Sequence, residues 1–240
     1  MLTFNIHKGL DFTSSKHILP SIKELLSEID ADIIFLQEVQ GEHAINKEQF
    51  EDWPEISPIE FLAEGRWEHY FYGQNKTYEH GHHGNAILSK YPLEFFENVD
   101  ISTHEISNRG LLYSKILLKP DFPLHLICTH LGLLKRERIA QFQLLNQFIN
   151  ERLPRDESLI LAGDFNDWRV ASPKLLDKSS GLIEVFAESH GKHAKTFPAV
   201  FPTLKVDRIY YRGLCCENNE VIRTKKLSDH CPLMAEFSIP

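Results

Sequence analysis

Cysteine is scarce in this 240-residue chain: there are four, Cys128, Cys215, Cys216 and Cys231, and their spacing fits neither a zinc site nor a dense disulfide framework. They are read as reduced thiols of a cytoplasmic protein. No apolar run approaches the ~18 residues needed to span a bilayer, so no transmembrane helix is expected, and only peripheral contact with phospholipid is left open. No N-terminal secretory signal is visible, because Met1 leads directly into a strand-like LTFNI. Low-complexity tracts and long linkers are missing as well, and a prior of about 150 residues per domain does not force a split. Residues 1–240 are therefore expected to form one domain. Basic clustering is also weak. With a net charge of −8, the densest groups, Lys135, Arg136 and Arg138, and Arg223, Lys225 and Lys226, read as solvated faces. Duplex DNA, whose binding neutralises several phosphates, is not favoured. No protein partner is predicted.

What is present is material for a core, with 42% hydrophobic and 25% charged residues. The most informative stretch is LILAGDFNDW, residues 159–168, in which a strand buried on both faces runs into a glycine, a carboxylate and a carboxamide. If the backbone stays extended, Asp164 and Asn166 point to the same side and could face one ligand. The competing explanation is an ordinary turn, since Gly, Asp and Asn are turn residues.

Further strands are expected at residues 2–6, 33–36, 70–72, 86–89, 93–99, 111–118, 124–129, 206–210, 221–223 and 233–237. Helices are expected from residue 18 to 29, with Pro20 tolerated in the first turn, and over 135–152. Shorter helical pieces are expected near 45–53, 173–176 and 182–187. His80, His82 and His83 read as a Gly-flanked loop that contacts phosphate or is simply solvated, without the spacing of a zinc site. TFPAVFP, residues 196–202, is a proline-broken aromatic loop. Its Phe197 and Phe201, with Trp168, are either core aromatics or the rim of a cleft. Polar residues recur at strand ends: Asn5, Glu38, His130, Asp164 with Asn166, and Asp229 with His230. Strand ends along one sheet edge are a usual place for chemistry. Glu38 is a hard oxygen donor suited to Mg²⁺, although a solvated strand end explains it equally well when it is taken alone.

In family order, and over almost the whole chain, these motifs resemble the endonuclease/exonuclease/phosphatase superfamily, which includes DNase I, abasic-site endonucleases, inositol polyphosphate 5-phosphatases and neutral sphingomyelinases. They are Asn5 in TFNIH, Glu38 in LQEV, His130 in THLG, Asp164 and Asn166 in GDFN, Asp207 in VDRI, and Asp229 and His230 in SDH. NIHKG, GHHGNA, GDFNDW and TFP further resemble a small bacterial subgroup of uncharacterised hydrolases encoded near cardiolipin synthase. The resemblance implies an α/β (α+β) four-layer, DNase I-like sandwich of two packed, mostly antiparallel sheets with outer helices. It also implies Mg²⁺, with Mn²⁺ an alternative, held principally by Glu38 with Asn5 and Asp229 nearby. Asp164 would activate water and Asn166 would hold that water or the phosphate. His130 and His230 would stabilise the transition state, with Asp207 fixing His230. His7, His83, Asn85 and Arg109 are candidates for substrate contact. His7 stands where the repair-nuclease branch has an acid, which argues against DNA repair. The expected activity is in-line attack of water on a small or lipid phosphodiester; the alternatives are a metal-dependent nuclease and a catalytically silent phosphate-binding module.

Overall fold

Apolar runs such as IIFL and LILA need apolar material on both faces, because successive side chains of a strand point to opposite sides. The computed structural model, which describes residues 1–11, 16–43, 49–50, 53–104, 107–169, 175–176, 178–224 and 227–240, supplies it with two six-stranded sheets packed face to face. In chain order the elements are β1 (Leu2–Asn5), α1 (Leu19–Ile29), β2 (Ile33–His43), α2 (Pro58–Ala63), β3 (His69–Tyr78), β4 (Gly81–Ser89), β5 (Leu93–Asp100) and β6 (Gly110–Lys119). There follow β7 (Phe122–His130), α3 (Lys135–Arg152), β8 (Ser158–Asp164), β9 (Ile183–Glu184), α4 (Val185–His190), β10 (Asp207–Arg212), β11 (Cys215–Val221) and β12 (Leu233–Ser238). The sheets run β11-β12-β1-β2-β4-β3 and β5-β6-β7-β8-β10-β9. Pairing is antiparallel except between β1 and β2 and between β7 and β8. A parallel pair needs a crossover of a dozen or more residues, and α1 and α3 lie in those two crossovers.

Alternation along the strands sorts the core into three layers. Ile33 and Phe35 of β2 and Ile160 and Ala162 of β8 meet between the sheets with Ile87, Leu126 and Ile209. Their neighbours Ile34 and Leu36 pack outward against Leu19, Ile22 and Leu26 of α1, and Leu159 and Leu161 pack outward against Phe142, Leu145 and Phe148 of α3. The result is the expected four-layer sandwich. At about 1.5–3 kcal/mol for each large apolar side chain fully buried, these layers are the main stabilising element. Phe35→Ala, at a fully buried position in the central layer, should cost about 3–5 kcal/mol.

The helix over 135–152 lies where its periodicity placed it, and Pro20 sits in the first turn of α1. Other expectations change. β4 begins at Gly81, so His82 and His83 stand on a strand and not on a loop, because their backbones pair with Thr77 and Lys76 of β3. The strand expected at 221–223 lies earlier, at Cys215–Val221; it is a polar edge strand recruited by β12 and has no apolar pattern to read. The helical piece at 182–187 splits into β9, paired with β10, and α4. Most of the helical pieces near 45–53 and 173–176, and also Lys225 and Lys226, lie outside the described residues. The 196–202 segment is a loop, closed where Thr196 N–H donates to Leu204 O and Leu204 N–H to Phe197 O.

Candidate active site

Register places the first group of polar side chains. In the second sheet Asp164, the last residue of β8, pairs on one side with His130 at the end of β7 and on the other with Asp207 at the start of β10. Three polar side chains from three elements are thus aligned in a row at one sheet edge. Gly163 makes this possible, since a Cβ there would lie 1.9 Å from the Thr129 carbonyl oxygen, at a φ of +146°. In the first sheet Asn5 ends β1 beside Gln37 of β2. Period-two alternation would send Glu38 outward with Leu36. Instead the pairing with β4 slips between Leu36 and Val39, Glu38 takes φ +54°, and its side chain lines the cleft. A bulge of this kind re-aims a side chain beside a site.

Asp164 is the hub. Its Oδ2 accepts from Asn5 Nδ2 at 3.1 Å and lies 3.4 Å from His130 Nε2 and 3.8 Å from His230 Nε2. Its Oδ1 accepts the Asn166 backbone N–H at 2.8 Å. That last bond corrects the extended-backbone expectation: Asn166 has φ +49°, and GDFN is a side-chain-capped turn. Turn and site coincide, because the turn brings Asn166 into the cleft while its Nδ2 donates to Leu131 O at 2.9 Å. Across from it His230 Nδ1 lies 2.9 Å from Asp207 Oδ2.

Electrostatics divides these groups. Burial pushes the Asp164 carboxyl up to about 6, against the pull of His230 and the bonds from Asn166 and Asn5. Burial would also discharge His230, yet Asp207 and Asp164 outweigh it and raise the imidazole to about 10. His130, with no such carboxylate dominating, is pushed by burial, and then by Arg109, well below the ordinary histidine value. Burial works against the charge on Glu38 too, but Lys8, His83 and His7 together hold it below the usual carboxylate range. Two histidines in one cleft are therefore held in different charge states.

Two donor sets face this space. Among the described residues, ligand atoms of Asp164, Asp207 and His230 lie within 4.8 Å of one another, but this set already closes on itself through the Asp207–His230 bond and carries a cationic imidazole. Glu38 and Asp229, oxygen donors, line the same cleft of about 280 Å³. Glu38 Oε1 lies 3.5 Å from Asn5 Nδ2. An ionised, half-buried carboxylate with oxygen donors beside it fits a hard divalent cation better than a charged histidine does.

The other candidates separate. Arg109 lines the cleft, and its Nε is buried without a partner among the described residues. Asn85 spends its Nδ2 on Gly110 O at 3.1 Å and positions the start of β6. His83 Nδ1 lies 3.3 Å from the Tyr78 hydroxyl, and burial takes its pKa down to about 4. His7 donates its backbone N–H to Asn5 Oδ1. Several contributors were not foreseen. Lys8 Nζ stands 3.8 Å from Glu38 Oε2. Ser228 Oγ donates to Asn5 O at 2.7 Å and accepts from His230 N–H at 3.1 Å, tying the segment before β12 to the end of its neighbour β1. Both lie inside motifs already noted, NIHKG and SDH, but nothing in the sequence gave them partners. Leu133, Trp168, Phe197 and Leu204 form an apolar rim. Trp168 and Phe201 are 37% and 75% exposed, so these two are not core residues.

Comparison with known proteins gives consistent findings. A model of the Endonuclease/Exonuclease/phosphatase family matches residues 2–230. The chain is 42% identical over 245 residues to the uncharacterized protein YbhP of Escherichia coli (strain K12), covering 100% of this chain and 96% of the relative. Among solved structures, it is similar to a humanized D. rerio TDP2, with TM-score 0.75, 21% identity, and coverage of 99% of this chain and 97% of that one. It is also similar to a mannosyl-6-phosphatase of Bacteroides thetaiotaomicron, with TM-score 0.75, 16% identity, and coverage of 99% and 98%.

Proposed function

The chain belongs to the endonuclease/exonuclease/phosphatase family, and on that footing we propose that residues 1–240 form one Mg²⁺-dependent phosphodiesterase domain acting in the cytoplasm on a small or lipid phosphodiester. The observation that carries this reading is the line Asp207–His230–Asp164, spaced at 2.9 and 3.8 Å, facing Glu38 across one cleft.

Glu38, with Asn5 and Asp229 beside it, would hold the cation; when bound, a divalent ion supplies a Lewis acid that offsets charge on a phosphoryl oxygen. Mn²⁺ suits the same oxygen donors. The remaining work falls to the chain's own groups. Asp164, with its carboxyl near 6, is ionised at neutral pH yet basic enough to take a proton from the attacking water. Asn166, in the turn beside it, orients that water. His230, kept cationic by Asp207, donates to a phosphoryl oxygen and has a proton to give the departing alkoxide. Neutral His130 offers a single N–H to the same phosphoryl group, and Arg109 adds fixed positive charge. As water adds to phosphorus, the ester P–O bond opposite breaks, and the proton taken by Asp164 balances the one given by His230.

The exposed apolar rim supports a substrate with an apolar part, while the net charge of −8 argues against a long polyanion. A nuclease is the second reading, supported by the similar fold of a D. rerio TDP2 solved with single strand DNA product (TM-score 0.74, 18% identity, covering 99% of this chain and 97% of that one). The test is hydrolysis of bis(p-nitrophenyl) phosphate with Mg²⁺, Mn²⁺ or chelator, followed by a screen of phospholipids, nucleic acids, inositol phosphates and cyclic dinucleotides. Turnover that is abolished by chelator and restored by Mg²⁺ is expected. Metal-independent turnover, or none on any phosphoester, would overturn the reading.

A further inference from the structure

Away from the catalytic cleft, the face formed by α4, the segment after it and the end of β11 carries a second concavity of about 480 Å³. Its lining runs against the composition of the chain. Lys192, Lys195, Lys205 and Arg223 converge on it with His190 and His193, and among the described residues Glu220 is its one acidic lining residue. None of those four cations makes an ion pair with a carboxylate among the described residues. A surface that is acidic overall does not collect unpaired cations in a concavity without electrostatic cost, and an anionic ligand removes that cost.

The floor is ordered. His193 is buried, its Nδ1 is 2.7 Å from Glu184 Oε2, and the same Glu184 oxygen accepts the Ala187 backbone N–H at 2.7 Å, which fixes the imidazole against α4. His190 Nε2 is likewise held, 2.9 Å from Asn219 Oδ1. Phe186 and Val221 supply apolar surface. The shape selects for size. Nucleic-acid tracking needs cations strung along a groove, whereas here they ring one open concavity whose volume is within the range of small-molecule sites.

The position also matters. Lys195 and Lys205 flank the 196–204 loop, which is closed by the Thr196–Leu204 and Leu204–Phe197 backbone bonds. Phe197, Leu204 and Val206 of the same segment line the catalytic cleft. One pair of backbones thus walls both spaces, with lysines on one side and the apolar rim on the other.

We propose that this pocket is a second anion site, separate from the catalytic cleft, that takes a small molecule bearing two or more adjacent phosphates. The site does not depend on which ester the cleft hydrolyses. The experiment is calorimetric titration of the full chain with pyrophosphate in the absence of divalent cations, for wild type, His230→Ala, Lys195→Gln/Lys205→Gln and Arg223→Gln. Wild type and His230→Ala should bind within twofold of one another. The lysine pair should weaken binding at least tenfold and Arg223→Gln at least threefold, while the lysine pair hydrolyses bis(p-nitrophenyl) phosphate within twofold of wild type. Unchanged affinity in both basic-residue variants would overturn the proposal, as would no binding by wild type. Loss of all binding in His230→Ala would place the anion in the catalytic cleft instead. Displacement of pyrophosphate by a duplex oligonucleotide that is itself more sensitive to the lysine pair would assign the face to nucleic acid and reject the small-molecule site.

Discussion

Replacing Asp207 by Asn removes one charge and leaves the shape of the side chain. The carboxamide oxygen can still accept from His230 Nδ1, so the buried pair at 2.9 Å should keep its geometry and the fold should survive. What changes is the charge state of the imidazole. Asp207 is the largest of the groups raising His230 to about 10 against the burial that lowers it. A hydrogen bond to a charged group is worth about 1.5–3 kcal/mol, and 1.36 kcal/mol corresponds to one pKa unit. The alkaline limb of the kcat profile, set in wild type by loss of the His230 proton, should therefore move about 1–2 units toward neutral pH. If the interaction counts fully in the transition state, kcat should fall about 10- to 150-fold. The assay is bis(p-nitrophenyl) phosphate hydrolysis with saturating Mg²⁺ from pH 5 to 10.5, in a cycle with His230→Ala and the double variant. Two groups acting as one unit give a double variant no worse than His230→Ala. An unmoved alkaline limb, or losses that multiply, would refute the coupling.

Four further outcomes are expected. Glu38→Gln should weaken Mg²⁺ binding by calorimetry and lower activity by orders of magnitude with the fold intact; equal Mg²⁺ affinity would remove Glu38 from the metal site. Gly163→Ala puts a Cβ 1.9 Å from the Thr129 carbonyl at a φ that side chains rarely adopt, and should cost about 2–4 kcal/mol, read as a Tm lower by about 5–15 °C; an unchanged Tm would show that the approach relaxes freely. His125, buried between the Tyr113 hydroxyl at 2.9 Å and Glu157 at 2.5 Å, has its pKa lowered by burial despite that carboxylate, so the folded state resists the proton that the unfolded chain accepts near 6.5. Its contribution is present above that pH and is lost as pH falls through the folded value; the urea midpoint of His125→Gln should drop less than that of wild type between pH 7 and 5, and parallel slopes would contradict this. In competition across salt concentrations, a short phosphodiester with an apolar group should be cleaved in preference to duplex DNA; preference for DNA, with a slope of about −0.9 for each of several phosphate contacts, would favour the nuclease reading.

The sequence by itself determined the main strands and helices and most of the polar groups at their ends, and its family motifs implied the layers. Residues 33–36 and 159–162 are apolar on both faces, which demands material on two sides, and the 3.6-residue pattern of 135–152 could be satisfied only by a helix laid on one of them. Asn5, Glu38, His130, Asp164, Asn166, Asp229 and His230 could be picked out because each lies at the end of an apolar strand, whereas Asp207 was marked only by the family motif VDRI. The tertiary structure decided how they meet. Glu38 reaches the cleft only through a bulge against β4, a backbone event that period-two reasoning misses because it interrupts the period. β11 exists only because β12 offers it an edge, and His82 and His83 lie on a strand because β3 pairs with them. Lys8 and Ser228 became visible as partners of Glu38 and Asn5 only once the chain had closed on itself. The different charge states of His130 and His230 are likewise tertiary: burial drives both rings toward neutrality, Arg109 adds to it at His130, and only at His230 do Asp207 and Asp164 overcome it, a property of packing that no local stretch of sequence contains.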